Sequence, residues 1–357
     1  MNIWKINSRT LASATALQDP YLSGAYDFLQ HWQSGKPDFV LRTSGSTGTP
    51  KPIHLTRAQM EASAWMTGKA LQLPSGTQAL ICLNVGYIAG TMMLVRGMVL
   101  DWELTIIEPV ANPLLGFGSD ARFDFIAMVP LQLQACLQNP ATRQAVARVD
   151  KILLGGAPVS LALEKEIQSL PIPVYQSYGM TETVSHVALR RLNGADPEED
   201  YMVLDGVEFG VDAQNCIYVR GAVTNFETVQ TNDIVEITSP RTFRWVGRRD
   251  AIINSGGLKI QLLRIDRKVE ECLLEMGVSP GESFFSWYEN DERLGQKLIL
   301  FMEGKANSLN VPLLLDRLRP KVSTFEVPKA IYFVERFKRT PTDKLDKNAT
   351  ANTYFNA

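Results

Sequence analysis

Residues Thr43-Ser44-Gly45-Ser46-Thr47-Gly48-Thr49-Pro50-Lys51 crowd hydroxyls, two glycines and a lysine into one turn-forming stretch. Hydroxyls and free backbone N–H groups are what a polyphosphate needs, and glycine lets the backbone come close to it. The lysine adds a compact positive charge. The spacing differs from G-x-x-x-x-G-K-[ST], and Pro52 follows the lysine where that motif runs into a helix. The same composition also suits a solvated turn or linker. A second segment, Tyr178-Gly179-Met180-Thr181-Glu182-Thr183, offers an aromatic face for a base, a hydroxyl for a phosphate oxygen and a carboxylate for Mg2+. Its other reading is a helix N-terminus, capped by Thr181, with Glu182 favoured by the dipole. Third comes Thr231-Asn232-Asp233 with Gly247-Arg248-Arg249-Asp250, and fourth Arg339-Thr340-Pro341-Thr342-Asp343-Lys344-Leu345-Asp346-Lys347. Alone, the third reads as surface charge and the fourth as a charged tail.

The elements that must position these groups follow from hydrophobic patterning. Short apolar runs alternate with helical segments. Strands are expected at 39–41, 79–83, 104–107, 125–129, 151–154 and 173–175, with helices at 90–100, from 130 onward and at 160–170. This βαβα rhythm predicts a mainly parallel sheet covered by helices. Ligands then bind beyond the carboxyl ends of strands, where Gly155-Gly156 and Gln176-Ser177-Tyr178-Gly179 are expected. After about residue 190, short strands at 216–219 and 243–246 predict a small β-rich region. Beyond Gly247 a compact α+β unit is expected, with helices at 261–276 and 310–318 and strands at 297–302 and 330–334.

Bulk properties narrow the class. The chain has 357 residues, 45% hydrophobic and 21% charged, with a formal net charge of −2. That balance suits a soluble two-domain protein and gives no electrostatic case for nucleic acid or an anionic membrane. Cys82, Cys136, Cys216 and Cys272 are far apart in sequence and read as reduced, buried thiols. Three histidines, His31, His54 and His186, argue against a His-based metal cluster. No run approaches the ~18 apolar residues of a membrane span, and the N-terminus lacks the apolar core of a signal peptide. A cytoplasmic protein is the expectation.

Taken in order, the four segments resemble the adenylate-forming superfamily of acyl-CoA synthetases, luciferases and peptide-synthetase adenylation domains, over residues 39 to 347. The resemblance implies an ATP- and CoA-dependent acid–thiol ligase working through an acyl-adenylate. It implies an α/β fold: a large domain, 1–249, shortened at its N-terminal part, and a small mobile α+β lid, 250–357. By the same resemblance Thr43, Ser44, Gly45, Ser46, Thr47, Gly48 and Lys51 belong to the loop that grips the ATP phosphates. Gly155, Gly156, Ala157 and Pro158 line the adenine pocket, Tyr178 stacks on adenine, and Gly179 belongs to the same segment. Thr181 touches the α-phosphate, and Glu182 binds Mg2+. Asp233 holds the ribose with Arg248 helping, Asp250 is the hinge, and Lys344 is the lid lysine of the adenylation step. The Ser255-Gly256-Gly257 turn would replace Lys344 in the second step. No general base is required, because a carboxylate is already ionised at neutral pH.

Three departures stand out. Asp343 replaces the glycine usual before the lysine, and Tyr87 replaces a common histidine near the acyl pocket. The trimmed N-terminus would leave a surface for a second subunit to cover. Within the superfamily the stretch 175–186 is most similar to the o-succinylbenzoate–CoA ligases of menaquinone biosynthesis. An aromatic keto-dicarboxylate needs a donor for its second carboxylate, and Tyr87, Arg96, Ser185 and His186 are the candidates. Arg96 lies on an apolar helix and needs a partner, either that carboxylate or an internal ion pair. Another aryl- or acyl-CoA ligase, a stand-alone adenylation enzyme loading a carrier protein and a non-catalytic nucleotide-binding relative remain the alternatives.

Overall fold

The structure, a computed structural model, describes residues 2–11, 14, 17–42, 52–118, 121–195, 197–278, 283–306, 309–340 and 345–356. Its frame is a twelve-stranded sheet in the order β1-β5-β4-β6-β7-β8-β9-β10-β14-β13-β12-β11. The strands are β1 (Ile3–Ile6), β4 (Gln78–Ile81), β5 (Glu103–Ile107), β6 (Phe125–Met128), β7 (Lys151–Leu154), β8 (Val174–Gly179), β9 (His186–Arg191), β10 (Tyr201–Val203), β11 (Val207–Val211), β12 (Cys216–Gly221), β13 (Val229–Ser239) and β14 (Thr242–Arg248). A separate two-stranded ribbon pairs β2 (Asp38–Arg42) with β3 (Pro52–Thr56).

Strands β5-β4-β6-β7-β8 run parallel, as the βαβα pattern requires. They are nearly continuous apolar runs because helices cover both faces. Alternate residues divide between two cores. Leu80, Ile126, Ile152 and Leu154 face one core, together with Leu133, Leu163 and Ile167. Ala79, Ile81, Phe125, Ala127 and Leu153 face the other, with Leu29, Met93 and Leu94. The expected β-rich region does not stand apart. From β8 onward the pairings are antiparallel and extend the same sheet.

The helices are α1 (Ser8–Leu11), α2 (Pro20–Gln33), α3 (Arg57–Ala70), α4 (Ile88–Val99), α5 (Pro130–Gln138), α6 (Pro140–Val146), α7 (Leu161–Gln168), α8 (Leu262–Glu275), α9 (Val311–Leu318) and α10 (Lys347–Phe355). Local chemistry starts several of them. Thr56 and Gln59 form a reciprocal capping box at α3, and Asp19 caps α2, which opens on Pro20. Ser160 caps α7.

After β14 a 3-10 turn, Arg249–Ala251, leads into a second sheet. It contains β15 (Ile252–Ser255), β16 (Leu258–Gln261), β17 (Phe284–Asp291), β18 (Gly295–Glu303) and β19 (Ala330–Val334), with β19 parallel to β18. Gly256 and Gly257 join β15 to β16 at φ 58° and 83°. Positive φ at both central residues is what a tight hairpin turn of this kind demands. The α8 helix rests on α7 of the large sheet's layer. Glu270 accepts from the Leu161 N–H at 2.8 Å, and Arg267 pairs with Glu164 at 3.0 Å.

Candidate functional site

Of the sequence motifs, Gly155-Gly156, the 178–183 segment, Asp233 and Arg248 are described, and they gather where the parallel strands meet the antiparallel ones. Gly155 follows the carboxyl end of β7, beside Ser177 on β8. A Cβ at Gly155 would lie 2.7 Å from Ser177 Oγ, itself hydrogen-bonded to the Leu154 carbonyl at 2.9 Å. Gly156 has φ 82°, Ala157 is half-buried and Pro158 exposed. One expectation is corrected: Gln176 to Gly179 do not lie beyond a strand end but within β8. Their backbone is taken up by pairing with β9, a partner the short apolar run 173–175 did not reveal.

Tyr178 is 9% exposed and meets Tyr201 and Phe243 edge to face, with ring centroids 5.9 and 5.2 Å away. Its hydroxyl donates to Asp233 Oδ2 at 2.8 Å. Burial first, then the Asp233 charge, pushes the phenol's pKa up. Asp233 and Arg248 are cross-strand partners on β13 and β14, with Arg248 Nη1 3.4 Å from Asp233 Oδ1. Arg248 also grips Asp250 bidentately, at 2.9 and 2.7 Å. That pairing raises the Arg248 pKa and lowers that of Asp250. Tyr178, Asp233, Arg248 and Asp250 thus form one hydrogen-bonded line from the buried Tyr178 to the 3-10 turn between the sheets.

Thr181–Thr183 form a 3-10 turn, with Thr181 and Thr183 buried and Glu182 exposed. Met180 gives the turn no side-chain cap, so the capped-helix reading of Thr181 is replaced by a turn held through Thr183. The Thr183 hydroxyl accepts from the Met180 N–H at 3.1 Å and contacts the Ser185 carbonyl at 2.8 Å. Val184 then takes φ 65° and ψ −55° while the Ser185 N–H donates to the Thr183 carbonyl at 2.7 Å. This is the rarer, strained form of γ-turn, adopted here by a buried β-branched residue. Gly179 permits it: a Cβ there would sit 2.2 Å from the Ser185 carbonyl oxygen.

The turn aims Ser185 and His186 at Arg96, which α4 buries to 2% exposure. Arg96 Nε donates to Thr67 Oγ1 at 3.1 Å and Nη2 to Ser185 Oγ at 2.7 Å; Nη1 lies 3.7 Å from Met93 Sδ. None of these partners is charged, and among the described residues Arg96 has no ion pair. Among the described residues, then, hydrogen bonds to neutral groups hold it and no ion pair does. Burial lowers the guanidinium's pKa to about 10, so it remains a cation at neutral pH. Burial, and secondarily the Arg96 charge, holds the His186 pKa well below its ordinary value. Tyr87 stands half-buried at the start of α4. Sequence reasoning missed Thr67 and Val184. Thr67 lies on α3, 29 residues from Arg96 and 119 from His186, so no local pattern marks it.

Thr43 to Lys51, with Ser44, Gly45, Ser46, Thr47 and Gly48, and Lys344 lie outside the described residues. Their anchors are described. Arg42 and Pro52 are cross-strand partners. Phe39, Leu41 and Leu55 of that ribbon share a core with Tyr178 and Val184. Arg339 and Leu345 pair across residues 340–344. All four cysteines are free and buried, and no helix among the described residues is long and apolar enough to cross a membrane.

A profile of the AMP-binding enzyme family matches residues 13–209. A 2-succinylbenzoate–CoA ligase from Bacillus cytotoxicus is 25% identical over 335 residues, 86% of this chain and 68% of that protein. A crystal structure of an acyl-CoA synthetase (AMP-forming)/AMP-acid ligase II-like protein from Dyadobacter fermentans is 54% identical, covers 99% of each chain and superposes with a TM-score of 0.69. The o-succinylbenzoate CoA synthetase MenE of Bacillus subtilis, solved with its acyl-adenylate OSB-AMP, shares the fold at a TM-score of 0.71 and 20% identity, over 87% of this chain and 68% of that one. The motif order, the α/β frame and these relatives agree: the chain belongs to the AMP-binding enzyme family and is an AMP-forming acid–thiol ligase.

Proposed function

We propose that the enzyme activates an aromatic keto-dicarboxylic acid, o-succinylbenzoate in the first instance, and transfers the acyl group to CoA. The observation that carries this reading is Arg96. Removing a guanidinium from water without an anion is costly, and the described residues that hydrogen-bond this one are neutral. A second carboxylate on the acid is the partner such a cation lacks, and Arg binds carboxylates bidentately. The relative named 2-succinylbenzoate–CoA ligase points the same way.

In the first step, one carboxylate oxygen of the acid attacks the α-phosphorus of ATP. The new O–P bond forms as the bond to the pyrophosphate oxygen breaks, giving acyl-AMP and pyrophosphate. Tyr178 and Gly155 to Pro158 would hold the adenine, Asp233 and Arg248 the ribose, and Thr181 an α-phosphate oxygen. The loop 43–51 would hold the departing phosphates, and Lys344 would neutralise charge developing at the α-phosphoryl group. Glu182 fits a Mg2+ ligand. It is exposed and has no hydrogen-bond or ion-pair partner among the described residues, so its oxygens are available. A lone carboxylate completed by phosphates and water is a usual Mg2+ arrangement, and the ion when bound would offset phosphate charge.

In the second step the CoA thiolate attacks the acyl carbonyl and AMP leaves. Residues 250–357 would act as a lid turning about Asp250. The turn would withdraw Lys344 and bring up the Gly256-Gly257 hairpin.

The test is incubation with ATP, Mg2+ and a panel of carboxylic acids, with and without CoA, followed by mass spectrometry of the products. Acyl-CoA formed from o-succinylbenzoate supports the reading. Acyl-AMP that persists whether or not CoA is present would favour a carrier-protein acceptor instead. Turnover only with monocarboxylic acids would overturn the role of Arg96.

A further inference from the structure

We propose that Thr67 and His186 are positioning residues that lock the Arg96 guanidinium, with neutral His186 carrying its hydrogen on Nε2, so that one edge of Arg96 is presented to the acid. The inference rests on the reading of Arg96 as the partner of the second carboxylate.

The hydrogens can be assigned by elimination. Thr67 Oγ1 has one hydrogen, and its contact with the Ser63 carbonyl at 3.0 Å must use it, because a carbonyl only accepts. Thr67 therefore accepts from Arg96 Nε at 3.1 Å and from His186 Nε2 at 3.2 Å. Nε2 carries the hydrogen, and Nδ1 of the neutral ring must be an acceptor. Ser185 Oγ, which accepts from Arg96 Nη2 at 2.7 Å, then donates its own hydrogen to His186 Nδ1 at 3.4 Å. The four side chains close a ring, Arg96 to Thr67, His186 to Thr67, Ser185 to His186 and Arg96 to Ser185. Each hydroxyl has its hydrogen committed, so neither can rotate without breaking two contacts.

Thr67 is fully buried and His186 is 5% exposed, which keeps competing water away. The depressed His186 pKa agrees with the neutral ring this pattern requires. The ring occupies the Nε and Nη2 side of the guanidinium. The fork has five N–H groups; beyond the long Nη1 contact to Met93 Sδ, no described residue accepts from the Nη1 and Nη2 edge. Two parallel donors on one edge are what a carboxylate accepts bidentately. Thr67 and His186 touch no substrate in this scheme. They act by holding Arg96 in one orientation, which favours a dicarboxylic acid over the matching monoacid.

The test compares Thr67→Val, which keeps the shape and loses the hydroxyl, with Thr67→Ser, which restores it. Substrates are o-succinylbenzoate and 4-oxo-4-phenylbutanoate, which lacks the ring carboxylate. The Val variant should raise KM for the diacid roughly tenfold to a hundredfold, the loss of one hydrogen bond to a charged group. KM for ATP and for the monoacid should stay put, and Thr67→Ser should return the diacid KM close to the starting value. Arg96→Met separates the two layers of the argument. If Arg96→Met loses diacid preference and Thr67→Val does not, the positioning role is wrong and the carboxylate role stands. If Arg96→Met keeps the preference, or no diacid in the panel binds, both fall. Independently of any substrate, 15N NMR at neutral pH should show His186 neutral with hydrogen on Nε2. A cationic ring, or hydrogen on Nδ1, would overturn the assignment.

Discussion

Replacing Arg96 by Met is the sharpest test of why this chain buries an arginine. Met nearly matches the aliphatic stem and is at home among Met92, Met93 and Val95 of α4, all fully buried. A pKa lowered to about 10 puts the desolvation cost of the cation at about 3 kcal/mol, at about 1.4 kcal/mol per pH unit. Removing the charge relieves that cost. It also removes hydrogen bonds to Thr67 and Ser185, worth roughly 3–6 kcal/mol together for a charged donor. Both hydroxyls keep other partners, Ser63 and His186. The free enzyme should therefore change stability by no more than about 3 kcal/mol. Breaking a buried ion pair would instead cost about 3–5 kcal/mol, because the abandoned carboxylate stays buried. Urea unfolding of the two proteins measures the difference. Binding of the diacid should weaken by about 2–5 kcal/mol, since a desolvated charge partner is lost, and calorimetric titration reads it. A variant that unfolds about 4 kcal/mol more easily yet binds acid as before would refute the reasoning.

Three further outcomes follow from the geometry. The His186 pKa is lowered in the folded state by burial and by Arg96, with Thr67 and Ser185 the other groups facing it. Below about pH 6.5 the unfolded chain takes up a proton that the folded one refuses, so stability falls with falling pH by up to about 1.4 kcal/mol per unit until the folded pKa is reached. Thermal unfolding from pH 7.5 to 5 should show that slope in the parent minus His186→Gln; parallel curves would contradict it. Gly179→Ala should disrupt the γ-turn, because the new Cβ would meet backbone at 2.2 Å. A loss of several kcal/mol and of acid binding together is expected, and a stable, active variant would show the turn to be dispensable. Asp233→Asn removes a charge from between Tyr178 and Arg248 while Arg248 keeps Asp250. KM for ATP should rise about tenfold with the acid KM unchanged, and steady-state kinetics with each substrate varied decides it.

The sequence by itself determined the family, because phosphate, base and acyl chemistry confine hydroxyls, glycines, an aromatic and a carboxylate to short local motifs. It also determined the parallel half of the sheet. Strands covered on both faces must be continuous apolar runs, and Ala79 to Leu83, Phe125 to Val129 and Lys151 to Leu154 read as such. Tertiary structure decided what lies between the motifs. The β-rich segment joins the main sheet because β8 pairs with β9, a choice set by partners far along the chain. Val184 accepts positive φ only because Thr183 and the absence of a side chain at Gly179 hold it there. Arg96 read equally well as an ion-pair member or a substrate ligand until its neighbours were known. Burial and partnership are properties of a site assembled from α3, α4 and the turn after β8, separated by up to 119 residues. No local pattern of residue types encodes the uncharged partners that the described residues give Arg96; only the packed arrangement does.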